Sequence, residues 1–376
     1  MGESNSNAPL SHGVPPVHTT PPLHAHPSRD LCVIGVTGTN GKTTVAYLIG
    51  EVLRAAGYKT FVLGTLNSGN RDLSTPEGPD ITNFMEAHLK HGGTHFVMEV
   101  TSEGIDQDRI NGVEFDVKIL TNITQDHLDY HKTFENYKNT KLRFMKAGAA
   151  HKIYPENFHN TPVLFIPRLL GNFNLRNIQT AIVALRHMGI SETHIHQTLS
   201  SCLPPRGRME GIEMGQSYLV LVDYAHTPDG LENVLKTGQS LAKERNGRLL
   251  VLFGCGGNRD RGKRPKMGKI ASIFADFLVV TDDNPRLESG SEIMADIVDG
   301  MASDFHEYVL VQDRKAAIEL IINECRKNDV VILAGKGHET IQVNEFGGVH
   351  FDDREEAMMA IDIRSQAENT QPCFLQ

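Results

Sequence analysis

The stretch LCVIGVTGTNGKTT, residues 31–44, decides the fold of this chain. Its first six residues form a continuous apolar run, which is typical of a strand buried on both faces. A glycine-containing loop follows, and a helical pattern then runs from Thr43 to Ala56 and stops at Gly57. Strand, loop and helix in this order predict a phosphate-binding loop at the carboxyl end of a strand.

The loop carries the groups that a nucleotide requires. Its glycines and Asn40 leave backbone N–H groups free to cradle phosphates, Lys42 supplies a cation, and Thr43 supplies a hydroxyl for Mg²⁺. The spacing departs from G-x-x-x-x-G-K-[ST] because Val36 stands at the first glycine position. The alternative, a glycine turn beside a surface lysine, is disfavoured by the strand before the loop and the helix after it. The predicted nucleotide-binding residues of the loop are Gly38, Thr39, Asn40, Gly41, Lys42, Thr43 and Thr44.

Strand and helix patterns alternate along the rest of the chain. TFVLGT (60–65), HFVMEV (95–100) and DVKILT (116–121) repeat the strand pattern, and helical stretches separate them. This alternation predicts βαβ units and a mostly parallel sheet in an α/β fold. CLPPRGRMEG (202–211) contains two prolines that cannot continue a helix, and a second alternation follows over 218–335.

Four segments follow from these patterns. Residues 1–30 contain six prolines and four histidines and almost no aliphatic side chains. Such a segment cannot bury enough apolar surface to offset its ordering entropy, so it is predicted to be disordered. The predicted organisation is a tail at 1–30, a central domain at 31–205, a C-terminal domain at 206–365 and a short tail at 366–376.

Composition excludes several classes of protein. The chain is 39% hydrophobic and 22% charged, which is typical of a globular protein, and its net charge of −9 does not favour nucleic acid. Its five cysteines form no CxxC pair, which is typical of a reducing compartment. No apolar run approaches the roughly 20 residues that span a bilayer, and the N-terminus lacks a signal-peptide pattern. We therefore expect a cytoplasmic protein without nucleic-acid or membrane partners.

Further motifs carry a family resemblance. They are STPEG (74–78), MEVTS (98–102), TNITQDHLDYH (121–131), YKNTK (137–141), GNFNLRN (171–177), GRMEG (207–211), VDYAHTPD (222–229), GCGGNRDRGKRPKMG (254–268), DNPR (283–286) and AGKGHE (334–339). In this order, and with the phosphate loop, they resemble the Mur ligases, most closely the MurE family of peptidoglycan synthesis. The resemblance covers about residues 31–360. It implies a phosphate-loop ATPase domain, a C-terminal Rossmann-like domain and ATP-dependent amide formation through an acyl phosphate.

The resemblance also implies a catalytic centre. Glu99 stands at the end of a strand, where it could ligate Mg²⁺ or simply be a surface acid. Lys141 is similar to a family lysine that CO₂ carbamylates, which converts an ammonium into an oxygen ligand suited to Mg²⁺. The implied catalytic residues are Lys42, Glu99, His127, Lys141 and Arg208. The implied metal ligands are Thr43, Glu99, His127 and the Lys141 carbamate. The implied nucleotide contacts beyond the loop are Asn174, Asn177, Arg208, Asp223 and His226.

Two further subsites follow from the resemblance. Thr75, Ser102 and Arg109 are similar to residues that hold the peptide end of the acceptor, and Glu103 stands where the family usually has a histidine. The substrates expected are ATP, a diamino acid and an acidic peptide acceptor. An arginine in the amino-acid pocket can pair with the distal carboxylate of meso-diaminopimelate, which lysine lacks. The implied amino-acid-binding residues are Asn284, Arg286, Gly335 and Glu339.

The chain also departs from the family pattern. MurE proteins carry an N-terminal domain that binds the uridine nucleotide, whereas about 30 residues precede the first strand here. We therefore expect weakened or lost UDP recognition, or a separate protein that supplies the docking domain. The stretch between Lys141 and Gly171 is short, which predicts a reduced central domain.

Other functions stay open at this point. One is a Mur-type ligase for a different acidic acceptor, or a related amide ligase such as a folylpolyglutamate synthase. Another is a noncatalytic nucleotide-binding module, and a third is a simple phosphate-loop ATPase. Retention of Lys42, Glu99, His127, Lys141 and Arg208 disfavours a decayed module, because none of these side chains is needed for folding.

Overall fold

The computed structural model describes residues 26–68 and 73–370. Most of the tail predicted at 1–30 lies outside the described residues. Its last residues correct the prediction, because Pro27–Asp30 form a short 3-10 helix in which Ser28 is buried. The hydroxyl of Ser28 accepts a hydrogen bond from the backbone N–H of Glu114 at 3.0 Å, so this turn is tied to the first domain.

The first half of the chain forms a five-stranded sheet in which every strand pair is parallel. The spatial order is β2-β3-β1-β4-β5, so the strand that leads into the phosphate loop lies at the centre. This agrees with the predicted parallel sheet. The strands are β1 (Cys32–Thr37), β2 (Thr60–Leu63), β3 (His95–Glu99), β4 (Val117–Leu120) and β5 (His151–Ile153).

Helices cover both faces of this sheet. The helix predicted to start at Thr43 begins one residue earlier, and its apolar side, which includes Val45 and Ile49, is completely buried. It packs against the seventh and eighth helices, which lie on the same face. The helices are α1 (Lys42–Ala55), α2 (Gly78–Lys90), α3 (Ser102–Asp106), α4 (Leu128–His131), α5 (Phe134–Lys146), α6 (Pro155–Phe158), α7 (Asn172–His187) and α8 (Glu192–Ser201).

The second half forms a six-stranded sheet of order β10-β9-β8-β11-β7-β6. All neighbours are parallel except β6, which runs antiparallel to β7 at the edge. Its central strands are continuous apolar runs and are fully buried. The strands are β6 (Glu210–Ile212), β7 (Leu219–Asp223), β8 (Leu249–Phe253), β9 (Phe277–Val280), β10 (Tyr308–Leu310) and β11 (Val330–Ala334), and a separate hairpin consists of β12 (Ile341–Asn344) and β13 (Gly347–His350).

The helices of the second half again lie on both faces of the sheet. The last one corrects the tail predicted at 366–376, because it continues through Thr370; residues 371–376 lie outside the described part. The helices are α9 (Pro228–Arg245), α10 (Arg264–Phe274), α11 (Gly290–Val298), α12 (Arg314–Glu324) and α13 (Asp353–Thr370). None of the helices in the described part of the chain has the length and apolar character needed to cross a membrane.

The two sheets are joined through 202–209, a segment without helix or strand. We propose 205/206 as the boundary between the two domains because it falls inside this segment. Polar contacts connect the halves directly. Asn40 Nδ2 donates to Asp229 Oδ2 at 2.7 Å, and Lys266 Nζ donates to Gln125 Oε1 at 2.6 Å. Since Asn40 and Asp229 each follow the carboxyl end of a strand, these ends face each other across one cleft.

An ion pair inside the second domain yields a prediction. Arg314 donates to both carboxylate oxygens of Asp353 at 2.7 Å and to the carbonyl of Ala334 at 2.9 Å, and both charged side chains are fully buried. Asp353→Ala leaves a buried guanidinium unpaired, so we expect it to lower the free energy of unfolding by about 3 kcal/mol. Urea unfolding measures the change. The double variant Arg314→Met/Asp353→Leu is the control and should lose less; an equal loss would contradict the role of the unpaired charge.

Candidate active site

The cleft between the two sheets has a volume of about 650 Å³. The carboxyl ends of several parallel strands meet there, which is where ligands bind in open α/β sheets. Most of the predicted site residues line it. They are Thr39, Asn40, Gly41, Lys42, Thr43, Thr44, Glu99, Arg109, His127, Asn177, Arg208, Asp223, His226, Asn284, Arg286, Gly335 and Glu339.

The remaining predicted residues lie behind the cleft wall instead of on it. Thr75 is fully buried, and its hydroxyl bridges the Glu99 carbonyl and the Thr101 N–H at 2.9 Å each. Ser102 and Asn174 are each only 1% exposed. These side chains therefore support the residues in front of them. The full set behind the wall is Gly38, Thr75, Ser102, Lys141 and Asn174.

Two glycines allow the phosphate loop its shape. Gly38 has φ +147° and Gly41 has φ +87°, backbone conformations that side chains disfavour. Space is also restricted, because a Cβ at Gly38 would lie 1.9 Å from the Thr121 hydroxyl, and one at Gly41 would lie 2.4 Å from Asn177 Oδ1. The loop is therefore pressed against the end of β4 on one side and against α7 on the other.

Asn122, which the sequence interpretation missed, holds the loop by its backbone. The N–H of Asn40 donates to Asn122 Oδ1 at 2.9 Å, and Asn122 Nδ2 donates back to the Asn40 carbonyl at 3.0 Å. Thr121 Oγ1 donates to the same carbonyl at 2.6 Å. The sequence did offer a signal for Asn122. Thr121 and Asn122 directly follow β4, and β4 pairs with β1, the strand that leads into the phosphate loop.

Two lysines converge on one carbonyl oxygen of the loop. Lys42 Nζ and Lys141 Nζ donate to the Gly38 carbonyl at 3.0 and 2.9 Å, respectively. Burial, reinforced by the charge of Lys42, holds the pKa of Lys141 well below its usual range. Burial also lowers the pKa of Lys42, although Glu99, Asp126 and Glu103 oppose it. Lys141 is only 1% exposed, so burial increases the share of its neutral amine.

A hydroxyl and a carboxylate meet at the start of α1. Thr43 Oγ1 donates to Glu99 Oε2 at 3.0 Å and accepts a hydrogen bond from Arg208 Nη2 at 3.0 Å. Glu99 is 2% exposed, and its other oxygen accepts from the Thr65 N–H at 2.8 Å. Arg208 therefore reaches from the 202–209 segment across the cleft to the phosphate loop.

These oxygen donors fit Mg²⁺ better than a transition metal. Within residues 26–68 and 73–370, no three His, Cys, Asp or Glu side chains are placed so that they could hold a metal ion by themselves. Mg²⁺ commonly takes only one or two protein ligands and completes its shell with water and substrate phosphates. Thr43 and Glu99 beside the phosphate loop fit that pattern.

His127 lies between two carboxylates. Its Nδ1 is 2.6 Å from Glu103 Oε1, and its Nε2 is 3.3 Å from Asp126 Oδ2. Burial lowers the pKa of His127, but the two acids outweigh it and the pKa is raised. Burial raises the pKa of Asp126, but the charges of His127, His226 and Lys263 bring it down to about 2. His127 also has a left-handed backbone (φ 52°, ψ 33°), a conformation that is uncommon for non-glycine residues.

The side of the cleft expected to bind the nucleotide contains two predicted asparagines and one acid. Asn177 faces the cleft, and its Nδ2 donates to Asn174 Oδ1 at 3.0 Å, so Asn174 orients Asn177 from behind. Asp223 accepts hydrogen bonds from the N–H groups of Met209 and Ala225 at 2.7 and 2.8 Å. Burial raises the pKa of Asp223 to about 6, against the opposing charge of Arg208.

The side of the cleft expected to bind the acceptor contains Arg109. This residue is 9% exposed, its Nη1 donates to the Thr75 carbonyl at 2.9 Å, and its Nε lies 3.1 Å from Glu77 Oε1. Gln107 also lines the cleft and accepts a hydrogen bond from Arg109. Gln107 was missed because nothing in its sequence context distinguishes it from a solvated helix end.

The DNPR segment forms the opposite side of the cleft. Arg286 has φ 54°, and its Nη1 donates to the Gly257 carbonyl at 2.9 Å, which leaves the other guanidinium nitrogens available. Asn284 was expected to bind the amino acid directly, but its amide is occupied. Its oxygen accepts from Lys336 Nζ and from the Val343 N–H, and its nitrogen donates to Glu339 Oε2 at 2.8 Å. Asn284 therefore positions Glu339 and the hairpin.

Lys336 is a further residue that the sequence interpretation did not single out. It is completely buried, its Nζ lies 3.2 Å from Glu339 Oε2, and it donates to the Ile341 carbonyl at 2.7 Å. Burial raises the pKa of Glu339, and the nearby Asp283 raises it further, while Lys336 opposes both effects. The Glu339 oxygen that does not contact Lys336 is the one available to a ligand.

Tyr224 supports Arg208, the residue that reaches across the cleft. The Arg208 guanidinium lies 4.6 Å from the centroid of its ring, and the rings of His226 and His338 lie at 4.5 and 4.7 Å. A cation over a desolvated aromatic face is attracted by the ring quadrupole. Tyr224 therefore holds Arg208 in the orientation that reaches Thr43.

This contact yields a prediction for nucleotide affinity. Tyr224→Leu removes the ring that supports Arg208, and we expect it to weaken ADP binding by about 1 kcal/mol, or roughly fivefold in Kd. Isothermal titration calorimetry measures the change. Tyr224→Phe keeps the ring and should bind ADP as the unmodified protein does. Equal affinities of the Leu and Phe variants would show that the ring does not support Arg208.

Two protein families match the chain. The Mur ligase middle domain matches residues 36–161, and the Mur ligase glutamate ligase domain matches residues 207–337. The first match contains the phosphate loop, Glu99, His127 and Lys141, and the second contains Arg208 and the DNPR segment. The domain matches therefore coincide with the two sides of the cleft.

Individual relatives agree with these matches. The UDP-N-acetylmuramoyl-L-alanyl-D-glutamate–2,6-diaminopimelate ligase of Clostridium tetani is 37% identical over 380 residues, which cover 88% of this chain and 77% of that protein. A solved structure of a ligase of the same name is 31% identical and superimposes with a TM-score of 0.57 over 89% of this chain and 79% of its own. Escherichia coli FolC with DHPP and ADP shares the fold at 19% identity, with a TM-score of 0.65 and coverage of 91% and 92%. The chain belongs to the Mur ligase family.

Proposed function

We propose that this Mur ligase joins meso-diaminopimelate to the D-Glu carboxylate of a muramoyl-dipeptide-type acceptor and converts ATP to ADP and phosphate. The observation that carries the proposal is that the phosphate loop, Arg109 and Arg286 open into the same cleft. A nucleotide and two carboxylate-bearing substrates can therefore meet there. Relatives at about 37% identity are named for this reaction.

The reaction proceeds in two steps. An acceptor carboxylate oxygen attacks the γ-phosphorus of ATP, the bond to the bridging oxygen breaks, and an acyl phosphate and ADP form. The diaminopimelate amine then attacks the acyl carbon, loses a proton and expels phosphate, which leaves the amide. Because phosphoryl transfer depends on positioning and charge stabilisation, Lys42 and Arg208 are assigned to the phosphate oxygens. His226 and Asp223 are assigned to the ribose side.

Mg²⁺ is the proposed cofactor. Thr43 and Glu99 would hold one ion beside the phosphates, and His127 with a carbamylated Lys141 would hold a second. When bound, the ions neutralise charge on the transferring phosphoryl group. The oxygen-rich donor set at Thr43 and Glu99 supports the first ion. The burial of the Lys141 amine beside Lys42 supports the modification.

The carbamate follows from the environment of Lys141. Its Nζ shares the Gly38 carbonyl with Lys42, and burial lowers its pKa, so the neutral amine is available to add to CO₂. The addition forms an N–C bond and releases one proton, and it places an anion beside Lys42. This anion would pair with the Lys42 ammonium, which in the unmodified protein shares the Gly38 carbonyl with the Lys141 amine.

This assignment predicts a requirement for CO₂. Ligase activity of the unmodified protein should fall when CO₂ and bicarbonate are removed and return when bicarbonate is added. Lys141→Ala should lower ligase activity on the order of a hundredfold, whatever the bicarbonate concentration, because an oxygen ligand is lost at the developing charge. Lys146→Ala, at the exposed end of the same helix, is the control and should keep full activity. Full activity of Lys141→Ala would rule the carbamate out.

Arg286 is proposed to select the amino acid. Its free guanidinium nitrogens can bind the distal carboxylate of diaminopimelate, and Glu339 can bind the distal ammonium. Lysine has no distal carboxylate and leaves the cation unpaired. The left-handed backbone of Arg286 and its bond to the Gly257 carbonyl hold the side chain toward the cleft.

The test is release of ADP and phosphate against a panel of substrates. Release should require both an acyl-D-Glu acceptor and meso-diaminopimelate, and lysine should be a poor replacement. Release without an amino acid would indicate a simple ATPase, and no release with any combination would indicate a binding module. Arg286→Ala should reduce the preference for diaminopimelate over lysine at least about tenfold. Arg261→Ala, an exposed arginine paired with Asp296, is the control and should leave the preference unchanged.

The acceptor is tested with and without its uridine nucleotide. We propose that Arg109 and Gln107 bind the D-Glu end, since both line the cleft. A lower KM for the UDP-linked acceptor would show that this chain itself recognises the nucleotide. Equal KM values would support docking by a separate protein, or an acceptor that carries no nucleotide.

A further inference from the structure

Glu103 occupies a position between the proposed metal ligands and the acceptor side of the cleft. It lies in the first turn of α3, where the Thr101 hydroxyl accepts a hydrogen bond from the Gly104 N–H and caps the helix. Its Oε1 lies 2.6 Å from His127 Nδ1, and its Oε2 accepts a hydrogen bond from Ser102 Oγ at 3.1 Å. Glu103 also lines the cleft.

The carboxylate is not needed to build the helix. Thr101 already caps α3, and the other acid of this short helix, Asp106, faces away and accepts a hydrogen bond from the Tyr130 hydroxyl at 3.0 Å. The Glu103 side chain is 22% exposed, and its charge is directed at His127. The arrangement resembles the carboxylate–histidine pairs that orient metal-binding imidazoles.

We propose that Glu103 is a positioning residue that holds the His127 imidazole ready to bind a divalent cation. Glu103 accepts the Nδ1–H of His127, which leaves Nε2 as the nitrogen that can donate its lone pair to a cation. The inference rests on the proposed role of His127 as a metal ligand.

His127 requires such support because its surroundings offer a competing partner. Asp126 Oδ1 accepts the backbone N–H of His127 at 2.8 Å, which fixes Asp126 next to the ring, and Asp126 Oδ2 lies 3.3 Å from Nε2. His226 also approaches Asp126 Oδ2, at 3.9 Å. Glu103 binds the half-exposed ring on the side opposite Asp126. Glu103 therefore pulls the imidazole from the other side and sets its rotation.

The experiment measures metal binding directly. Mn²⁺ is titrated into the protein with a nonhydrolysable ATP analogue present, and free Mn²⁺ is followed by electron paramagnetic resonance. We expect Glu103→Ala to raise the Mn²⁺ Kd about tenfold, the size of effect typical for partners of metal-binding histidines. His127→Ala should raise it at least as much. The double variant should match His127→Ala, because Glu103 acts through the imidazole and the two effects do not add.

Further variants complete the design. Asp106→Asn removes an acid from the same helix and should leave the Kd unchanged. Glu103→Gln keeps an oxygen that can accept the Nδ1–H and should weaken binding less than Glu103→Ala. Glu103→Leu, which has no acceptor, replaces the Ala variant if that variant fails to fold, and an unchanged Kd of the Leu variant would then overturn the proposal.

The outcomes separate the inference from the proposed function. A normal Kd for Glu103→Ala together with a raised Kd for His127→Ala overturns the role of Glu103 alone. Normal values for both variants remove His127 from the metal site, and the proposed role of His127 falls with the inference. A Glu103→Ala effect that persists in the His127→Ala background shows that Glu103 acts directly and not by positioning.

Discussion

The rest of the site depends on the hydrogen bonds by which the residues after β4 fix the phosphate loop. Thr121 and Asn122 bind the backbone of Asn40 on both its N–H and its carbonyl, so the loop cannot change shape without losing three hydrogen bonds. The side chain of Asn40 is thereby free to reach Asp229 in the second domain. Asn40 therefore fixes the phosphate loop through its backbone and joins the two domains through its side chain.

Charge is concentrated where the two domains meet, and several of the charges are compensated by a particular neighbour. His127 lies between Glu103 and Asp126, Arg208 rests on Tyr224, and Lys336 pairs with Glu339. Burying an unpaired charge is costly, so such pairs persist only when the surrounding fold holds both partners. The Lys42 and Lys141 amines instead share one carbonyl. An anion added beside them would balance the positive charge there.

Sequence reasoning located the cleft residues that lie at the carboxyl ends of strands or in the loops after them. Glu99, Asp223 and Arg286 lie in the cleft because the carboxyl ends of parallel strands share one edge of each sheet. Sequence reasoning was less successful for the residues behind the cleft wall. Thr75 and Asn174 carry the right chemistry, yet each uses its polar atoms to hold a neighbour. A motif specifies that a residue belongs to a site, but the direction of its side chain depends on packing against elements distant in the chain.

The sequence by itself determined the alternation of strands and helices, the phosphate loop and membership of the family, because buried-strand patterns and glycine spacing are local properties. Only the tertiary structure decided which side chains meet across the cleft. The contacts of Arg208 with Thr43 and of Asn40 with Asp229 join the two domains, and they form only when the two sheets pack with their carboxyl ends facing each other. Tyr224, Asn122 and Glu103 instead meet their partners within one domain. There the fold brings together elements that are distant in the chain, and no local pattern records either arrangement.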